Sequence, residues 1–271
     1  MADTSPVHCT VQPDGVALLT LDNPPLNVVF RGLTEALGRH LDALVGNADV
    51  RAIVVTGAGA RAFCAGSDIA EFQPLMQPGR IGPEKLELQH QVFAQLDDFP
   101  KPTVAAVNGL AFGGGLEIAV CCDLIVADAS ARFALPEIKL GIFPGSGAPG
   151  RVTRKVGEGR AKEMMFLGEP IDAMTAHGWG LINRVAPAGQ ALAVALELAA
   201  TLAQRPPLAL ALCKRAIDYS FDLATEDAAI AAALPLSEQA FTSAESREGV
   251  RAFLAKGTPR FPNALHTLKK D

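Results

Sequence analysis

The chain has 271 residues, of which 49% are apolar and 20% charged, and its mean hydropathy is positive. Such a chain can bury a large core, which excludes intrinsic disorder as its main state and predicts one sizeable domain or a domain with an appendage. The formal net charge is -5, and no run of Lys or Arg exceeds the length of the terminal Lys269-Lys270 pair. This charge pattern predicts neither a nucleic-acid partner nor a membrane partner.

The cysteines, the histidines and the apolar segments indicate where the protein resides. The five cysteines are odd in number and lack CxxC spacing, and the five histidines form neither HxH nor HExxH, so we predict no disulfide framework and no metal site. The N-terminal segment has no basic region followed by an apolar stretch, and the most apolar segment, 191–203, is short and contains Glu197. We therefore predict a cytoplasmic protein without a signal peptide or membrane span.

Short apolar runs alternate with helical patterns along the first half of the chain. The runs at 16–21, 52–57, 103–109 and 123–128 predict strands, and the patterns near 34–45, 87–96 and 115–122 predict helices. This alternation is typical of an α/β fold.

After Pro187 the sequence has helical patterns only, near 189–204, 207–221, 225–241 and 245–256. The segment from Thr242 to Glu245 resembles a capping box that opens the last of these helices. We predict an α/β core over residues 1–195 and a helical region over residues 196–271.

Three consecutive glycines, Gly113 to Gly115, separate a predicted buried strand from a predicted helix. Glycine permits close backbone approach, and the amides at a helix N-terminus attract negative charge. Glu117 falls in the first turn of that helix, where the helix dipole favours a carboxylate in any case. A tight turn would explain these residues as well as a functional site would.

Two further segments carry acidic residues beside small residues or prolines. Asp68 follows Ala65-Gly66-Ser67 and is interpreted as a helix N-cap, which leaves the backbone N–H of Ser67 as the group of interest. Glu137 follows Pro136 and, taken alone, is interpreted as a solvated or capping carboxylate. The segment 145–150 fits GxGxxG, but Pro144 precedes it and Pro149 lies inside it, which argues against a dinucleotide site.

Taken together, these segments resemble the crotonase (enoyl-CoA hydratase/isomerase) family. The pattern AFxAGxD is met at residues 62–68, NGxxxGGGxE at 108–117, and PE followed by GxxPGxG at 136–147. Similarity also extends through RVTRKVG, IDAMTAHGWGLINRV and SREGVRAFLAK, and so over nearly the whole chain. The resemblance implies a crotonase-type spiral of ββα units with a C-terminal helical region that packs in trimers, which are commonly paired into hexamers.

The resemblance also implies a site, residue by residue. Glu117 and Glu137 would be the acid/base pair, and the backbone N–H groups of Ser67 and Gly114 would form an oxyanion hole for the thioester oxygen. The residues that would contact the substrate or its coenzyme A are Leu26, Arg31, Cys64, Ala65, Gly66, Ser67, Asp68, Ile69, Gly113, Phe253 and Lys256. Coenzyme A would be part of the substrate, and no separate cofactor is implied. The stretch from Glu71 to Phe93 corresponds to the variable part of the family that shapes the acyl pocket.

The activity implied by the two glutamates is the hydration of a 2-enoyl-CoA. A double-bond isomerase is the nearest alternative, because one carboxylate that shuttles a proton is sufficient for that reaction. A CoA dehalogenase or hydrolase fits less well, since no aspartate nucleophile matches His90. A non-catalytic acyl-CoA-binding or RNA-binding relative is disfavoured by the acidic composition and by the glutamate pair.

Overall fold

A computed structural model describes residues 5–268, so the Lys269-Lys270 pair lies outside the described residues. The ten strands are β1 (Val7–Val11), β2 (Val16–Leu21), β3 (Ala52–Gly57), β4 (Ala62–Cys64), β5 (Thr103–Val107), β6 (Leu110–Phe112), β7 (Leu124–Asp128), β8 (Arg132–Ala134), β9 (Ile171–Asp172) and β10 (Arg184–Ala186). The ten α-helices are α1 (Arg31–Val45), α2 (Glu87–Asp97), α3 (Gly114–Val120), α4 (Ala148–Val156), α5 (Glu158–Leu167), α6 (Ala173–Trp179), α7 (Ala191–Ala203), α8 (Pro207–Asp222), α9 (Glu226–Phe241) and α10 (Ala244–Leu254).

The strands form two mixed sheets. The larger sheet has the order β1-β2-β3-β5-β7-β10, in which only the β1-β2 pair is antiparallel. The smaller sheet has the order β4-β6-β8-β9, in which only the β8-β9 pair is antiparallel. This arrangement confirms the predicted α/β class and the crotonase-type spiral.

The larger sheet is covered on both faces, which explains why its strands are continuously apolar. In β3, Ile53 and Val55 point into the main hydrophobic core, whereas Ala52 and Val54 point to the opposite face. Helix α7 covers that opposite face with alanines at every fourth position, namely Ala191, Ala195, Ala199 and Ala203. Their small side chains lie on one face of the helix and allow it to approach the sheet closely.

Each of three successive units runs from the larger sheet into the smaller one. Strand β3 leads to β4, β5 leads to β6 and β7 leads to β8. Strands β4, β6 and β8 are neighbours and parallel, so their carboxyl ends meet at one edge of the smaller sheet. The segments that follow these three strands hold Ser67, Gly114 with Glu117, and Glu137. The fold therefore brings the three sequence motifs to one place.

The C-terminal region contains only helices among the residues described, as the sequence predicts. Helix α7 runs across residue 195, the proposed division between the core and the helical region. No helix within residues 5–268 is long and apolar enough to span a membrane.

The predicted capping box at Thr242–Glu245 is wrong. Ser243 is the N-cap of α10, and its hydroxyl accepts a hydrogen bond from the Ser246 N–H. The Glu245 carboxylate is buried and accepts instead from the Leu208 and Ala209 amides at the start of α8, and from the Ala264 amide. These hydrogen bonds hold α8 and the C-terminal segment against α10. The Leu208 and Ala209 amides are available for them because the first amides of a helix have no partner within it.

Candidate active site

Glu117 lies in the first turn of α3, as predicted, and its side chain is only 4% exposed. Its Oε1 accepts hydrogen bonds from the backbone N–H groups of Ser146, at 2.8 Å, and Ala148, at 3.2 Å. Burial raises the pKa of the Glu117 carboxyl, while the two amides and the nearby Arg151 guanidinium oppose that shift. The carboxyl group is thus fixed in position, with one oxygen anchored by the loop before α4.

Glu137 lies in a 3₁₀ helix, Pro136–Leu140, that follows β8. Its Oε2 is buried and has no hydrogen-bond partner among residues 5–268. Burial raises the pKa of the Glu137 carboxyl to about 7; its own backbone amide opposes this shift and the charge of Glu117 adds to it. A carboxyl group with such a pKa can both donate and accept a proton near neutral pH.

The raised pKa of Glu137 leads to a prediction about stability and pH. The unfolded chain loses this proton near the ordinary value of 4.5, whereas the folded chain keeps it up to about 7. The folded state then binds more protons in this range, so stability falls as pH rises through it. Glu137→Gln removes this loss, and its melting temperature relative to wild type should rise between about pH 5 and about pH 8. Thermal unfolding followed by circular dichroism measures this difference, and a difference that stays constant with pH would contradict the assignment.

The glycine triplet brings the three loops into close contact. A Cβ at Gly113 would lie 2.7 Å from Glu137 Oε1, and a Cβ at Gly114 would lie 2.9 Å from Ser67 Oγ. A Cβ at Gly115 would collide with the carbonyl group of Cys64. Gly113 also has a φ of +49°, which L side chains rarely adopt. The start of α3 therefore lies against both the loop after β4 and Glu137, and side chains at Gly113 or Gly115 would separate them.

The backbone amide of Ser67 lies close to Gly114, where the loop after β4 meets the start of α3; we call this meeting point the corner. The position of a Gly114 Cβ is 3.7 Å from the Ser67 nitrogen. Gly114 is the first residue of α3, so its N–H has no partner within the helix. Ser67 forms an isolated bridge with Val29 in which the flanking residues make the hydrogen bonds, from Val29 N–H to Gly66 O and from Asp68 N–H to Val29 O. Across residues 5–268, neither the Ser67 amide nor the Gly114 amide donates a hydrogen bond to a protein group.

The other predicted substrate contacts are distributed between this corner and two more distant places. Leu26 is joined to the corner by its carbonyl oxygen, which accepts from the Ala65 N–H. Asp68 is the predicted N-cap, since its carboxylate accepts from the Ala70 N–H at 2.9 Å, and Ile69 is exposed. Cys64 ends β4 and Gly66 lies in the loop that follows, and both face the glycine triplet.

Arg31, Phe253 and Lys256 lie outside the corner. Arg31 begins α1 and donates to Glu35 and to the Glu84 carbonyl group. Phe253 is 81% exposed on α10, so it does not anchor that helix within its own chain, and Lys256 is exposed just beyond the helix.

The residues that hold Glu117 were missed by the sequence analysis. The amides of Ser146 and Ala148 belong to the segment 145–150, whose glycines fit a dinucleotide motif but in fact form the turn that enters α4. Ser146 is itself held by Gln89, whose Oε1 accepts from the Ser146 hydroxyl at 3.1 Å. Arg151 pairs with Asp97 and donates to the Ser146 carbonyl oxygen. The sequence signal for this segment was its match to the family pattern GxxPGxG, which does not indicate a contact with Glu117.

The chain is similar in sequence to known acyl-CoA enzymes. The sequence model of the family Enoyl-CoA hydratase/isomerase matches residues 12–264. A 2,3-dehydroadipyl-CoA hydratase of Escherichia coli is 39% identical over 91% of this chain and 94% of its own length. A short-chain-enoyl-CoA hydratase of Clostridium acetobutylicum is 34% identical over 89% of this chain and 92% of its own.

Solved structures agree with the sequence comparison. The crystal structure of an enoyl-CoA hydratase from a Polaromonas species superposes with a TM-score of 0.89 at 32% identity, covering 94% of this chain and 99% of that chain. The likeness thus extends over the full fold, including the smaller sheet and the C-terminal helices. The chain belongs to the crotonase, or enoyl-CoA hydratase/isomerase, family of acyl-CoA enzymes.

Proposed function

We propose that the protein adds water across the 2,3-double bond of a 2-enoyl-CoA thioester to give a 3-hydroxyacyl-CoA. The observation that carries this proposal is the pairing of two carboxyl groups of raised pKa, Glu117 and Glu137, beside two unpaired backbone amides. Such a hydration needs an oxygen nucleophile at the β-carbon, a proton at the α-carbon and a place for enolate charge. The relatives named above as hydratases support the same reaction.

The amides of Ser67 and Gly114 are proposed to bind the thioester carbonyl oxygen. As water attacks the β-carbon, the electrons of the double bond move toward the carbonyl group, and negative charge develops on that oxygen. If both N–H groups bind that oxygen, they stabilise its charge without reorganisation during the reaction, because the backbone already holds them in place. The N-terminus of α3 adds a partial positive charge at the same place.

The two glutamates are proposed to move the protons. One ionised carboxylate takes a proton from water as the water oxygen bonds to the β-carbon, and one protonated carboxyl gives a proton to the α-carbon. We assign Glu117 mainly to water and Glu137 mainly to the α-carbon. Mutual repulsion between the carboxylates favours the state in which one of them is protonated, as the reaction requires. No metal or redox cofactor takes part in this scheme.

The remaining predicted residues are proposed to bind coenzyme A and to support assembly. We assign the loop 64–69, Leu26, Arg31, Gly113, Phe253 and Lys256 to the coenzyme A thioester. We also propose a homotrimer or homohexamer. Large exposed apolar side chains support assembly, since a monomer gains nothing from exposing them; examples are Phe143, Phe166, Phe241, Phe253 and Leu254.

A panel of 2-enoyl-CoA thioesters of different acyl size tests the proposed reaction. Hydration removes the conjugated chromophore, so we expect an absorbance loss that depends on enzyme and the formation of 3-hydroxyacyl-CoA. Isomerisation of a 3-enoyl-CoA is measured beside it with the same enzyme. Conversion of 3-enoyl-CoA without any hydration of 2-enoyl-CoA would replace the hydratase proposal with an isomerase.

A further inference from the structure

A cavity of about 220 Å³ lies near the candidate active site, between the start of α1, the segment after Ser67, the π-helical turn Gly82–Leu86 and the start of α2. A single water molecule needs only about 10–15 Å³ of such volume, so the cavity can hold a group of several atoms. Its lining combines apolar side chains, such as Leu75 and Leu88, with the polar side chains of Glu71, Lys85 and Gln89. Neither the glutamate pair nor the oxyanion amides line it.

Two of the lining residues lie close to segments of the candidate site. On one side, Glu71 follows Ser67 by four residues. On the other side, the Gln89 amide accepts from the Ser146 hydroxyl at 3.1 Å, and the Ser146 N–H holds Glu117 at 2.8 Å. A chain of hydrogen bonds, from Gln89 through Ser146 to Glu117, therefore links the cavity lining to the candidate active site.

Two buried side chains that line the cavity have hydrogen-bond donors without a partner among the residues described. Gln89 is 3% exposed, and its Nε2 has no partner among the residues described. Lys85 is 4% exposed, and within residues 5–268 its ammonium donates one hydrogen bond, to Glu71 Oε2 at 2.6 Å. An ammonium group has three donors; one goes to Glu71 and the Phe72 ring lies 5.6 Å from the Nζ, so at least one donor remains for a ligand. Lys85 lies in the π-helical turn Gly82–Leu86 and Gln89 in the first turn of α2, and both residues line the cavity.

The carboxylates of the lining are already paired and do not need these donors. Glu71 accepts from the Arg31 N–H through Oε1 and from Lys85 through Oε2. Glu84 is held at both oxygens by the Arg80 guanidinium. The cavity thus presents surplus donors, and a buried donor left unpaired is costly. The Lys85 donors support this conclusion whichever way the Gln89 amide is turned.

We propose that this cavity takes the distal end of the acyl group and selects thioesters that carry an oxygen acceptor there, such as a carboxylate or a carbonyl oxygen. The inference rests on the proposed acyl-CoA function and names its substrate class. Lys85 and Gln89 donate to the distal oxygen, while Leu75 and Leu88 contact the methylene groups before it.

Binding of saturated acyl-CoA thioesters tests the proposal, because these compounds cannot be hydrated and failure of the hydratase assay does not affect the result. Isothermal titration calorimetry compares hexanoyl-CoA, adipyl-CoA and the ω-methyl ester of adipyl-CoA on the wild-type protein. We expect one or both oxygen-bearing thioesters to bind about tenfold or more tightly than hexanoyl-CoA, since charge-assisted hydrogen bonds are the stronger ones. Tighter binding of the acid than the ester identifies a carboxylate, and equal binding identifies a neutral acceptor.

Variants of Lys85 separate recognition from folding. Lys85→Met should bring the affinity ratio close to one, and Lys85→Arg, which keeps the charge and several donors, should restore part of it. Lys162→Met replaces an exposed lysine on α5 and should leave the ratio unchanged. Wild-type protein that binds hexanoyl-CoA as tightly as both oxygen-bearing thioesters would overturn the proposal. A ratio that is unaffected by Lys85→Met would also overturn it.

Discussion

Glu117→Gln and Glu137→Gln are each expected to lower the kcat for hydration by about 10²- to 10⁴-fold, the range typical of general acid/base catalysis. Both substitutions keep the size of the side chain and remove its ability to exchange a proton. A glutamine oxygen at position 117 can still accept from the Ser146 and Ala148 amides, so the loop before α4 should keep its place. Binding of a saturated acyl-CoA should therefore persist in both variants.

Two measurements separate the roles of these residues. The rate of hydration is followed by the loss of the conjugated thioester, and the exchange of the α-proton with solvent is followed in deuterium oxide. Loss of exchange in Glu137→Gln with retention in Glu117→Gln would support the assignment of Glu137 to the α-carbon. Glu163→Gln, at an exposed position of α5, serves as the matched control and should keep full activity. Near wild-type turnover in either active-site variant would refute the two-carboxylate mechanism.

The larger sheet could be predicted because strands that are buried on both faces appear in the sequence as continuous apolar runs. Strands β2 and β3 match the apolar runs at 16–21 and 52–57. The smaller sheet could not be predicted in the same way, because β4, β6 and β8 have three residues each and are too short for periodicity to show. It is this smaller sheet, however, that brings the three motifs together.

The order of the motifs along the chain predicted the residues of the candidate site. It did not predict the contacts that hold those residues in place. Residue types alone gave Glu117 as a helix-dipole carboxylate and Glu137 as a turn residue. Their pKa shifts arise from burial, which depends on chain segments far away in sequence, such as the loop that holds Ser146. Glu245 shows the same limit, since the local capping pattern was outweighed by the amides of α8, 36 or more residues away. Local patterns identify candidate groups, and tertiary contacts decide their partners.

Among single glycine-to-alanine substitutions at this site, Gly115→Ala is expected to lower the free energy of unfolding the most. The new Cβ would collide with the Cys64 carbonyl oxygen and lie 2.7 Å from its carbonyl carbon, and both are backbone atoms that cannot rotate away. Relief requires that α3 and the loop 64–67 move apart. Overpacking of this kind costs about 1–3 kcal/mol in the free energy of unfolding. Misplacing one oxyanion donor adds a loss of about 2.7–4 kcal/mol in transition-state stabilisation.

Gly114→Ala should separate activity from stability. Its Cβ would lie 2.9 Å from Ser67 Oγ, the end of a side chain that can rotate, so the fold should be little affected. The same methyl group would occupy space beside the Ser67 amide, at 3.7 Å from its nitrogen, where the thioester oxygen is proposed to bind. We therefore expect reduced kcat for hydration at nearly unchanged melting temperature.

Gly159→Ala is the matched control for both variants. It lies within α5, and a Cβ there has open space around it. Gly159 lies in the first turn of α5, where alanine can be at most about 0.5–1 kcal/mol more favourable than glycine, so this variant should be equally stable or more stable and fully active. Urea unfolding and hydration kinetics on the three variants give the comparison. Full activity in Gly114→Ala would place the thioester oxygen elsewhere, because a methyl group beside the Ser67 amide leaves no room for an oxyanion there.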